Sequence, residues 1–458
     1  MNTIQFNGGH RFLISDAPSN SIYHIASQPI IGSVPPVTSF FKPKVIIKVG
    51  DKISGGQVLF YDKKNPFLKF VAPGCGIISN IKYGKKRVLE LIEIKTDKKN
   101  DNFINFNKTS INKITSQEIV DKLIDSGIWP KFKKFPGFDF VPIDNFLKIE
   151  LSQLYISLFT TEPHGLNINL LLSQKKYLDF FIMGLKVITK IFKEVHVFNN
   201  KDNVSKEINE VLEQKKNIFL HKILDKYPAD NIGLQSWKMK SKNNDNNINI
   251  SAVPFLIIEI GHLFSKGHII QERFISVSGN GTKKKAHFIV NAGSPITSFV
   301  NSIETEKIND IRFIEGNILT GRQISSKDYL SDYEQSIQVI KEDRERIPLV
   351  FFRLGLNKLT LFKTWFSGFF PSVIRTPSTN NNGEERSCIQ CGYCLNICPT
   401  ELMPNILMKA SLINDIEEME RMDIDECIEC QLCTFICPSK IEIGHIIKSG
   451  KDFIKKEG

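Results

Sequence analysis

Eight of the nine cysteines of this chain lie near its C-terminal end, in two copies of one spacing. Each copy reads C-x2-C-x2-C-x3-C-P, and Pro399 and Pro438 close the two runs. A [4Fe-4S] cluster needs four thiolates, and in proteins with two such runs the fourth cysteine of each run ligates the other cluster. The sequence therefore predicts two clusters, whose ligands are Cys388, Cys391, Cys394 and Cys437 for cluster 1, and Cys427, Cys430, Cys433 and Cys398 for cluster 2.

Structural zinc is the competing interpretation, because zinc sites also use pairs of C-x2-C motifs and four ligands. Four cysteines in each run, with a closing proline, favour iron-sulfur clusters instead. A disulfide scaffold does not suit the composition, since the rest of the chain contains only Cys75. Cys75 follows Pro73-Gly74, and we interpret it as a small turn residue rather than a ligand.

The composition is that of a soluble globular protein with several domains: 458 residues, 41% hydrophobic and 24% charged. The most apolar run, residues 253–264, is interrupted by Glu259 and His262, and residues 1–15 show no secretion signal. We therefore expect a protein of the cytosolic side. The net charge of +11 is interpreted as a solvated surface, with attachment to anionic lipid as the lesser alternative, and no nucleic-acid motif accompanies it.

The distribution of apolar residues predicts a multi-domain α+β protein. Short apolar stretches between Gly and Pro turns predict a β domain over 1–100, which resembles a biotinyl/lipoyl-type barrel-sandwich domain. Alternating helix-like and strand-like patterns predict an α/β domain over 101–255. Short strands over 256–345 resemble a β-grasp module of the soluble ligand-binding type, and 346–382 is predicted to be a linker. Residues 383–458 are predicted to form an all-α, ferredoxin-like domain for the two clusters, with one helix over 404–422.

Several short motifs resemble, in the same order, those of the NqrA family, which forms one subunit of the sodium-translocating NADH:quinone oxidoreductase. They are 56–59 (GQVL), 125–129 (DSGIW), 260–264 (IGHLF), 319–322 (LTGR), 352–360 (FRLGLNKLT) and 366–370 (FSGFF). The resemblance covers nearly the full length. It implies a peripheral component of a multi-subunit membrane redox complex, a translocase, on the cytoplasmic face of the bacterial inner membrane. It further implies participation in quinone binding, with ubiquinone or menaquinone as substrate.

The chain departs from that family at its C-terminal end. Members of the family keep only the last Cys-Pro of the second run, whereas this chain keeps all eight cysteines. In this respect it resembles the C subunit of the related Rnf complex, which carries two [4Fe-4S] clusters. The Rnf subunit has a glycine-rich loop for flavin and nicotinamide, and residues 127–132 (GIWPKF) replace it here. A nucleotide site of that type is therefore not expected.

The most aromatic loop, residues 129–138, is the candidate quinone site. A quinone site should be an apolar cleft with a few polar groups. Trp129, Phe132, Phe135 and Pro136 are the candidate binding residues, and packing of these rings in the domain core is the alternative. Two other functions remain open: an Rnf-type subunit that moves electrons between ferredoxin and NAD, and a docking subunit whose cysteine runs are empty.

Overall fold

The computed structural model describes residues 3–36, 41–97, 102–108, 111–136, 139–141, 152–200, 208, 210, 212, 216–239, 249–300, 302–305, 307–344, 354–356, 358–361, 365–380 and 383–457. The strands are β1 Thr3–Ile4, β2 Ile22–His24, β3 Ile30–Ser33, β4 Pro43–Val45, β5 Lys52–Ile53, β6 Val58–Asp62, β7 Lys69–Val71, β8 Gly76–Tyr83, β9 Leu89–Thr96, β10 Lys133–Phe135, β11 Asp139–Phe140, β12 Gln153–Ser157, β13 Glu194–Asn199, β14 Ile218–Ile223, β15 Asn249–Ser251, β16 Glu272–Ser278, β17 Ala286–Asn291, β18 Ile311–Glu315, β19 Arg322–Ile324 and β20 Ser336–Lys341. The α-helices are α1 Ser116–Asp125, α2 Ile168–Leu172, α3 Lys175–Ile188, α4 Ile232–Met239, α5 Pro254–Lys266, α6 Thr297–Val300, α7 Tyr393–Ile397, α8 Pro404–Leu412, α9 Ile416–Arg421, α10 Leu432–Ile436 and α11 Ile443–Glu457.

The N-terminal β domain consists of two sheets packed face to face. One sheet has the order β3-β9-β8-β5 and the other β4-β6-β7, with antiparallel pairing in both. Side chains from both sheets, among them Leu59, Phe60, Ile92 and Ile94, are fully buried. Alternation of buried and exposed residues along β8 and β9 explains why one face of each strand is apolar. The predicted barrel-sandwich architecture is confirmed.

The second domain is built on a seven-stranded sheet with the order β1-β14-β13-β12-β15-β10-β11. Strands β12 to β15 pair in parallel, as the alternation of helices and strands predicts. Helices α3 and α5 cross at backbone contact, because Gly184 and Gly261 leave no side chain between them. A Cβ atom on Gly184 would lie 2.0 Å from the Ile257 carbonyl oxygen, and one on Gly261 would lie 1.7 Å from that of Phe180. The predicted α/β domain is confirmed.

The third sheet has the order β19-β18-β20-β16-β17-β2 and is mixed. Strand β16 pairs antiparallel with β17 and parallel with β20, and the N-terminal strand β2 adds to the edge beside β17. The sheet has its own core, which includes Val277, Phe288, Phe299 and Val339. Strand β2 comes from a segment that the apolar pattern placed in the barrel domain, and the β-grasp assignment stays a prediction.

The C-terminal module contains five α-helices, α7 to α11, within the described residues 383–457. The expected single helix over 404–422 is wrong, because α8 ends at Leu412 and α9 begins at Ile416. Between them Asn414 adopts a left-handed conformation (φ 55°), which Asn tolerates better than most residues. The Asp415 side chain then caps α9 by accepting the Glu418 N–H at 3.1 Å. The polar residues Asn414 and Asp415 thus end one helix and start the next, although the apolar pattern continues across them.

The N-terminal segment, residues 3–15, connects three parts of the molecule. Its strand β1 pairs with β14. The Gly9 N–H donates to the Ile397 carbonyl of the cysteine module at 3.0 Å, and the Ser15 N–H donates to the Arg375 carbonyl at 2.9 Å. Gly8 is required here by close approach, because its φ is +59° and a Cβ atom would lie 2.4 Å from the Ile397 oxygen. The segment therefore fixes the cysteine module against the α/β domain.

An ionic network centred on the buried Glu259 and Arg273 lies where the first three domains meet. The Lys131 ammonium lies 2.9 Å from one Glu259 carboxylate oxygen, and the Arg273 guanidinium lies 2.8 Å from the other. Asp332 completes the network at 3.9 Å from Lys131. Burial tends to raise the pKa of the Asp332 carboxyl, but Lys131 and Arg273 hold it below its ordinary value. Glu259 on α5 is nearly fully buried, so its two partners compensate a charge that water does not reach.

Replacement of Glu259 should therefore destabilise this junction strongly. Glu259→Met keeps the volume but leaves the more distant Asp332 as the carboxylate of this network for Lys131 and Arg273, and loss of the buried partner costs about 3–5 kcal/mol. We expect the midpoint of urea unfolding to fall clearly. The fluorescence of the buried Trp129 reports the unfolding. The control is Glu90→Met, whose partner Lys82 is exposed at the surface. Equal midpoints for the two variants would contradict a structural role for the network.

Candidate functional site

Cys388, Cys391 and Cys394 of the first run line one pocket together with Cys437 of the second run. The pocket encloses about 330 Å³, counting its open mouth, and its remaining wall is largely apolar. The thiols of Cys391 and Cys388 also interact electrostatically with that of Cys394, whose pKa is raised first by burial and then by these neighbours. The structure therefore brings together the four residues predicted to ligate cluster 1.

Cys398 leaves its own run and lies with the three remaining cysteines. Burial raises the pKa of the Cys427, Cys430 and Cys433 thiols, and the Cys398 thiol raises each of them further by charge repulsion. Four thiols gathered in this way cannot all ionise without a compensating positive centre. Metal binding supplies that charge by replacing the thiol protons. The donor set thus fits an iron-sulfur cluster at each of the two places.

The two cysteine runs share one local backbone design. In the first run Gln390 and Gly392 have positive φ, and in the second run the equivalent Glu429 and Gln431 do. Each run then continues as a short helix, α7 or α10, that begins at the residue after the second of these positions. Positive φ turns the chain sharply between consecutive cysteines, so that three thiols of a run point to one side. The repeated spacing in sequence is therefore a repeated structure.

The two thiol sets differ in their exposure. Cys391 is exposed, and its neighbour Ile389 has 67% of its surface in contact with solvent. Cys430, by contrast, is buried against the α/β domain, where the Tyr227 hydroxyl donates to its carbonyl at 2.9 Å. A Cβ atom on Gly233 would lie 2.7 Å from Phe135 and 2.8 Å from Ile428, so these side chains meet at the same interface. The first set faces outward and the second faces inward.

A buried lysine accompanies the inner thiol set. Lys451 on α11 is 2% exposed, and its ammonium donates to the Cys427 carbonyl at 2.8 Å. Glu429 lies 3.7 Å away and forms a closer pair, at 2.8 Å, with the more exposed Lys448. The charge of Lys451 opposes the effect of burial on the Cys427 thiol pKa. Sequence reasoning missed Lys451, because its position among other charged residues on an amphipathic helix gives no signal.

The predicted quinone-binding residues separate into two groups in the structure. Trp129 and Phe132 are fully buried in the core shared by the first two domains, where the Trp129 indole N–H donates to the Val141 carbonyl at 3.2 Å. Phe135 is buried in a core shared by the α/β domain and the cysteine module, and Pro136 beside it is exposed. Phe138 lies outside the described residues. The packing alternative thus describes Trp129, Phe132 and Phe135, and Phe135 is the one of the three whose core also contains Cys430 of the inner thiol set.

A cavity lies beside Gly127, where residues 127–132 replace the glycine-rich nucleotide loop of the Rnf subunit. It is lined by Ile128, Pro130 and the four residues of the ionic network, Lys131, Glu259, Arg273 and Asp332. The cavity encloses about 670 Å³, counting its open mouth. The four charged side chains on its wall already pair with one another, and residues 127–132 contain no glycine-rich loop that could approach a nucleotide phosphate.

Comparison with protein families matches three parts of the chain. Residues 4–97 match the NqrA N-terminal barrel-sandwich hybrid domain, and residues 114–269 match the NqrA second alpha/beta domain. Residues 387–442 match a 4Fe-4S dicluster domain. The first two domains of the chain therefore each match a domain of NqrA. The resemblance expected from the sequence is confirmed, and so is the presence of a dicluster domain at the C-terminal end.

Curated relatives resemble the chain over nearly its whole length. The NqrA subunit of the Na(+)-translocating NADH-quinone reductase of Marinomonas sp. (strain MWYL1) is 26% identical over 97% of this chain and 98% of its own. The protein of the same name from Haemophilus influenzae (strain Rd) is 28% identical over 91% of each chain. An NAD+-reducing [NiFe]-hydrogenase structure aligns over 52% of this chain and 48% of its own with 9% identity and a TM-score of 0.39, too low to indicate a common fold.

Iron analysis of single variants tests the ligand sets. We expect about eight irons per chain in the anaerobically purified protein, and about four after Cys398→Ser. The cluster lost should be the one that Cys430→Ser also removes, identified by low-temperature EPR, because Cys398 lies with the second run. Cys75→Ser is the matched control and should keep all the iron, since Cys75 is buried in the barrel domain. Loss of the cluster held by Cys391 in the Cys398 variant would contradict the crossing.

Proposed function

We propose that this chain is a peripheral, electron-carrying subunit of a sodium-translocating NADH:quinone oxidoreductase. The observation that carries the proposal is the pairing of NqrA domains with two sets of four thiols, each set combining three cysteines of one run with one of the other. The names of the relatives supply the complex. Eight ligand positions within this chain supply the redox centres, which when loaded accept and release single electrons.

The difference in exposure between the two thiol sets supports an electron path from one site to the other, with the outer site at the surface and the inner site in the interior. Cys391 and Ile389 bring the outer site to the surface, where a partner of the complex can approach it. The inner site adjoins Tyr227 and Phe135 at the edge of the α/β domain. The protein's own contribution is to hold the thiols, exclude water from the inner site and place a positive charge beside it. Electrons therefore pass between an exposed edge and a buried interior within one chain.

We place the quinone at the interface beside the inner site. Phe135 offers an aromatic ring in the core shared with Cys430, and exposed Pro136 marks the adjacent surface. A ubiquinone or menaquinone head needs apolar contacts and a few polar groups, which this interface contains in the Tyr227 region. We infer that nicotinamide oxidation belongs to another subunit, because residues 127–132 lack the glycine-rich loop of the Rnf subunit.

The chain is proposed to attach to the membrane from one side. Within the described residues, no helix is long and apolar enough to span a bilayer. The relatives that share its length are named as parts of a complex that translocates sodium, which requires a membrane. We assign the chain to the cytoplasmic face of the bacterial inner membrane, as a peripheral component.

An Rnf-type subunit is the second candidate, and the eight cluster cysteines favour it. That function requires flavin and nicotinamide on the same chain. A tightly bound flavin after purification, or NADH oxidation by the isolated chain, would support it over the first proposal. A docking subunit without redox function is the third candidate, and iron-free protein after anaerobic purification would support it.

Lys451 should raise the reduction potential of the inner cluster. Removing its positive charge in Lys451→Met makes addition of an electron less favourable, so the potential of that cluster should become more negative. Lys451→Arg keeps the charge and should restore the potential. Lys448→Met is the control, because this exposed lysine is paired with Glu429 and should change the potential less. Potentiometric EPR titration measures all three, and unchanged potentials with full iron content would contradict the role of Lys451.

Quinone use should depend on Phe135 more than on its neighbours in the loop. In the assembled enzyme, Phe135→Leu should weaken quinone reduction by about 1–3 kcal/mol if a ring contact in a desolvated pocket is lost. Oxidation of NADH by an artificial acceptor should not change. Phe132→Leu is the matched control, since Phe132 is buried in the other core and should affect stability only. Normal quinone kinetics in the Phe135 variant would return this ring to a packing role.

A further inference from the structure

The region between the third sheet and the cysteine module has an unusual composition. Residues 346–383 contain no Asp or Glu, although the whole chain has 49 of them among 458 residues. The same stretch contains five basic residues, Arg346, Arg353, Lys358, Lys363 and Arg375. It also contains one tryptophan and six phenylalanines, Trp365, Phe351, Phe352, Phe362, Phe366, Phe369 and Phe370. Aromatic and basic residues without acidic ones are the combination found on protein surfaces that enter the interface of an anionic bilayer.

The apolar side chains of this region are exposed. Of the 21 large hydrophobic side chains exposed among the described residues, seven fall between 354 and 374. They are Leu354, Leu356, Phe366, Phe369, Phe370, Val373 and Ile374, each between 50% and 65% exposed. Single exposed apolar residues are ordinary, but a concentration of this kind marks an interaction surface. We call residues 365–375 with Leu354 and Leu356 the apolar loop.

The apolar loop is held in a defined shape by Arg375. The Arg375 side chain is buried, and its guanidinium donates to the carbonyls of Ser367 at 2.9 Å, Phe370 at 2.8 Å and Val373 at 3.1 Å. The Phe366 N–H also donates to the Leu354 carbonyl at 3.0 Å, which joins the two parts of the loop. Since Arg375 satisfies the inward-facing carbonyls, the loop keeps its phenylalanines outside instead of collapsing onto them.

We propose that the apolar loop is a membrane-binding surface that inserts its phenylalanines into an anionic phospholipid bilayer. No Asp or Glu occurs over 346–383, so no carboxylate of this stretch repels lipid phosphates, and Lys358 adds a positive charge among the described residues, since Arg375 is buried. This inference is independent of cluster occupancy and of the quinone site, and it assigns a function to a segment that composition alone describes as a linker.

Vesicle sedimentation of the full-length, iron-loaded chain tests the proposal. We expect binding to vesicles of phosphatidylglycerol and phosphatidylcholine, and much weaker binding to phosphatidylcholine alone. Phe369→Glu should reduce binding to the anionic vesicles by about tenfold or more, because it removes an inserting ring and adds a charge that anionic lipid repels. Phe67→Glu is the matched control, since Phe67 is 49% exposed in the barrel domain and should leave binding unchanged.

Quenching of tryptophan fluorescence by brominated lipid separates insertion from adsorption. Trp365 lies in the apolar loop and should be quenched, whereas Trp129 is fully buried and should not be. Trp365→Phe should remove the quenching. Vesicle binding that Phe369→Glu does not weaken would overturn the proposal in favour of charge attraction alone. Failure to bind vesicles, combined with loss of the Phe369→Glu chain from the assembled complex, would overturn it in favour of a protein partner.

Discussion

The mixing of the two cysteine runs is the constraint on which the C-terminal module depends. Each thiol set takes three cysteines from one short loop and the fourth from the end of the other, so neither set can form before both runs are in place. Helices α8 and α9 lie between the runs and return the chain so that the second run lies beside the first. Such a module gains its stability from metal binding as well as from its small core. Its position is fixed separately, by Gly9 and Tyr227 at the boundary with the α/β domain.

Local pattern predicted the parts of the fold whose partners lie close in sequence. The barrel strands, the parallel strands β12 and β13 and the helices α1 and α3 follow from period and turn residues. The N-terminal segment could not be predicted. Strands β1 and β2 have two and three residues, and their partners β14 and β17 lie more than two hundred residues away. Elements that short carry no period, and only tertiary pairing defines them. The break at Asn414 was missed for the opposite reason, because the apolar pattern runs on across it.

The candidate site shows the same division. Cysteine ligands can be found from sequence because their chemistry lies in residue identity and spacing. The contribution of Lys451 and Tyr227 could not be found, since a lysine on an amphipathic helix and a tyrosine in a turn are ordinary until burial is known. Aromatic residues are ambiguous for a related reason: a ring that fills a core and a ring that lines a pocket have the same sequence signal. All three rings are buried, and only the neighbours of Phe135 differ, because it packs in the core that also contains Cys430.

The ionic network and the cysteine module differ in their charge balance. At the domain junction, Glu259 and Asp332 meet Lys131 and Arg273, and these groups on the wall of the cavity beside Gly127 already satisfy one another. In the module, eight thiols are gathered with few cations, and Lys451 is the buried one beside the inner set among the described residues. A neutralised junction has no need of a ligand, whereas clustered thiols need a positive centre to ionise. The charge balance of the two regions therefore favours redox chemistry in the cysteine module over nucleotide chemistry at the junction.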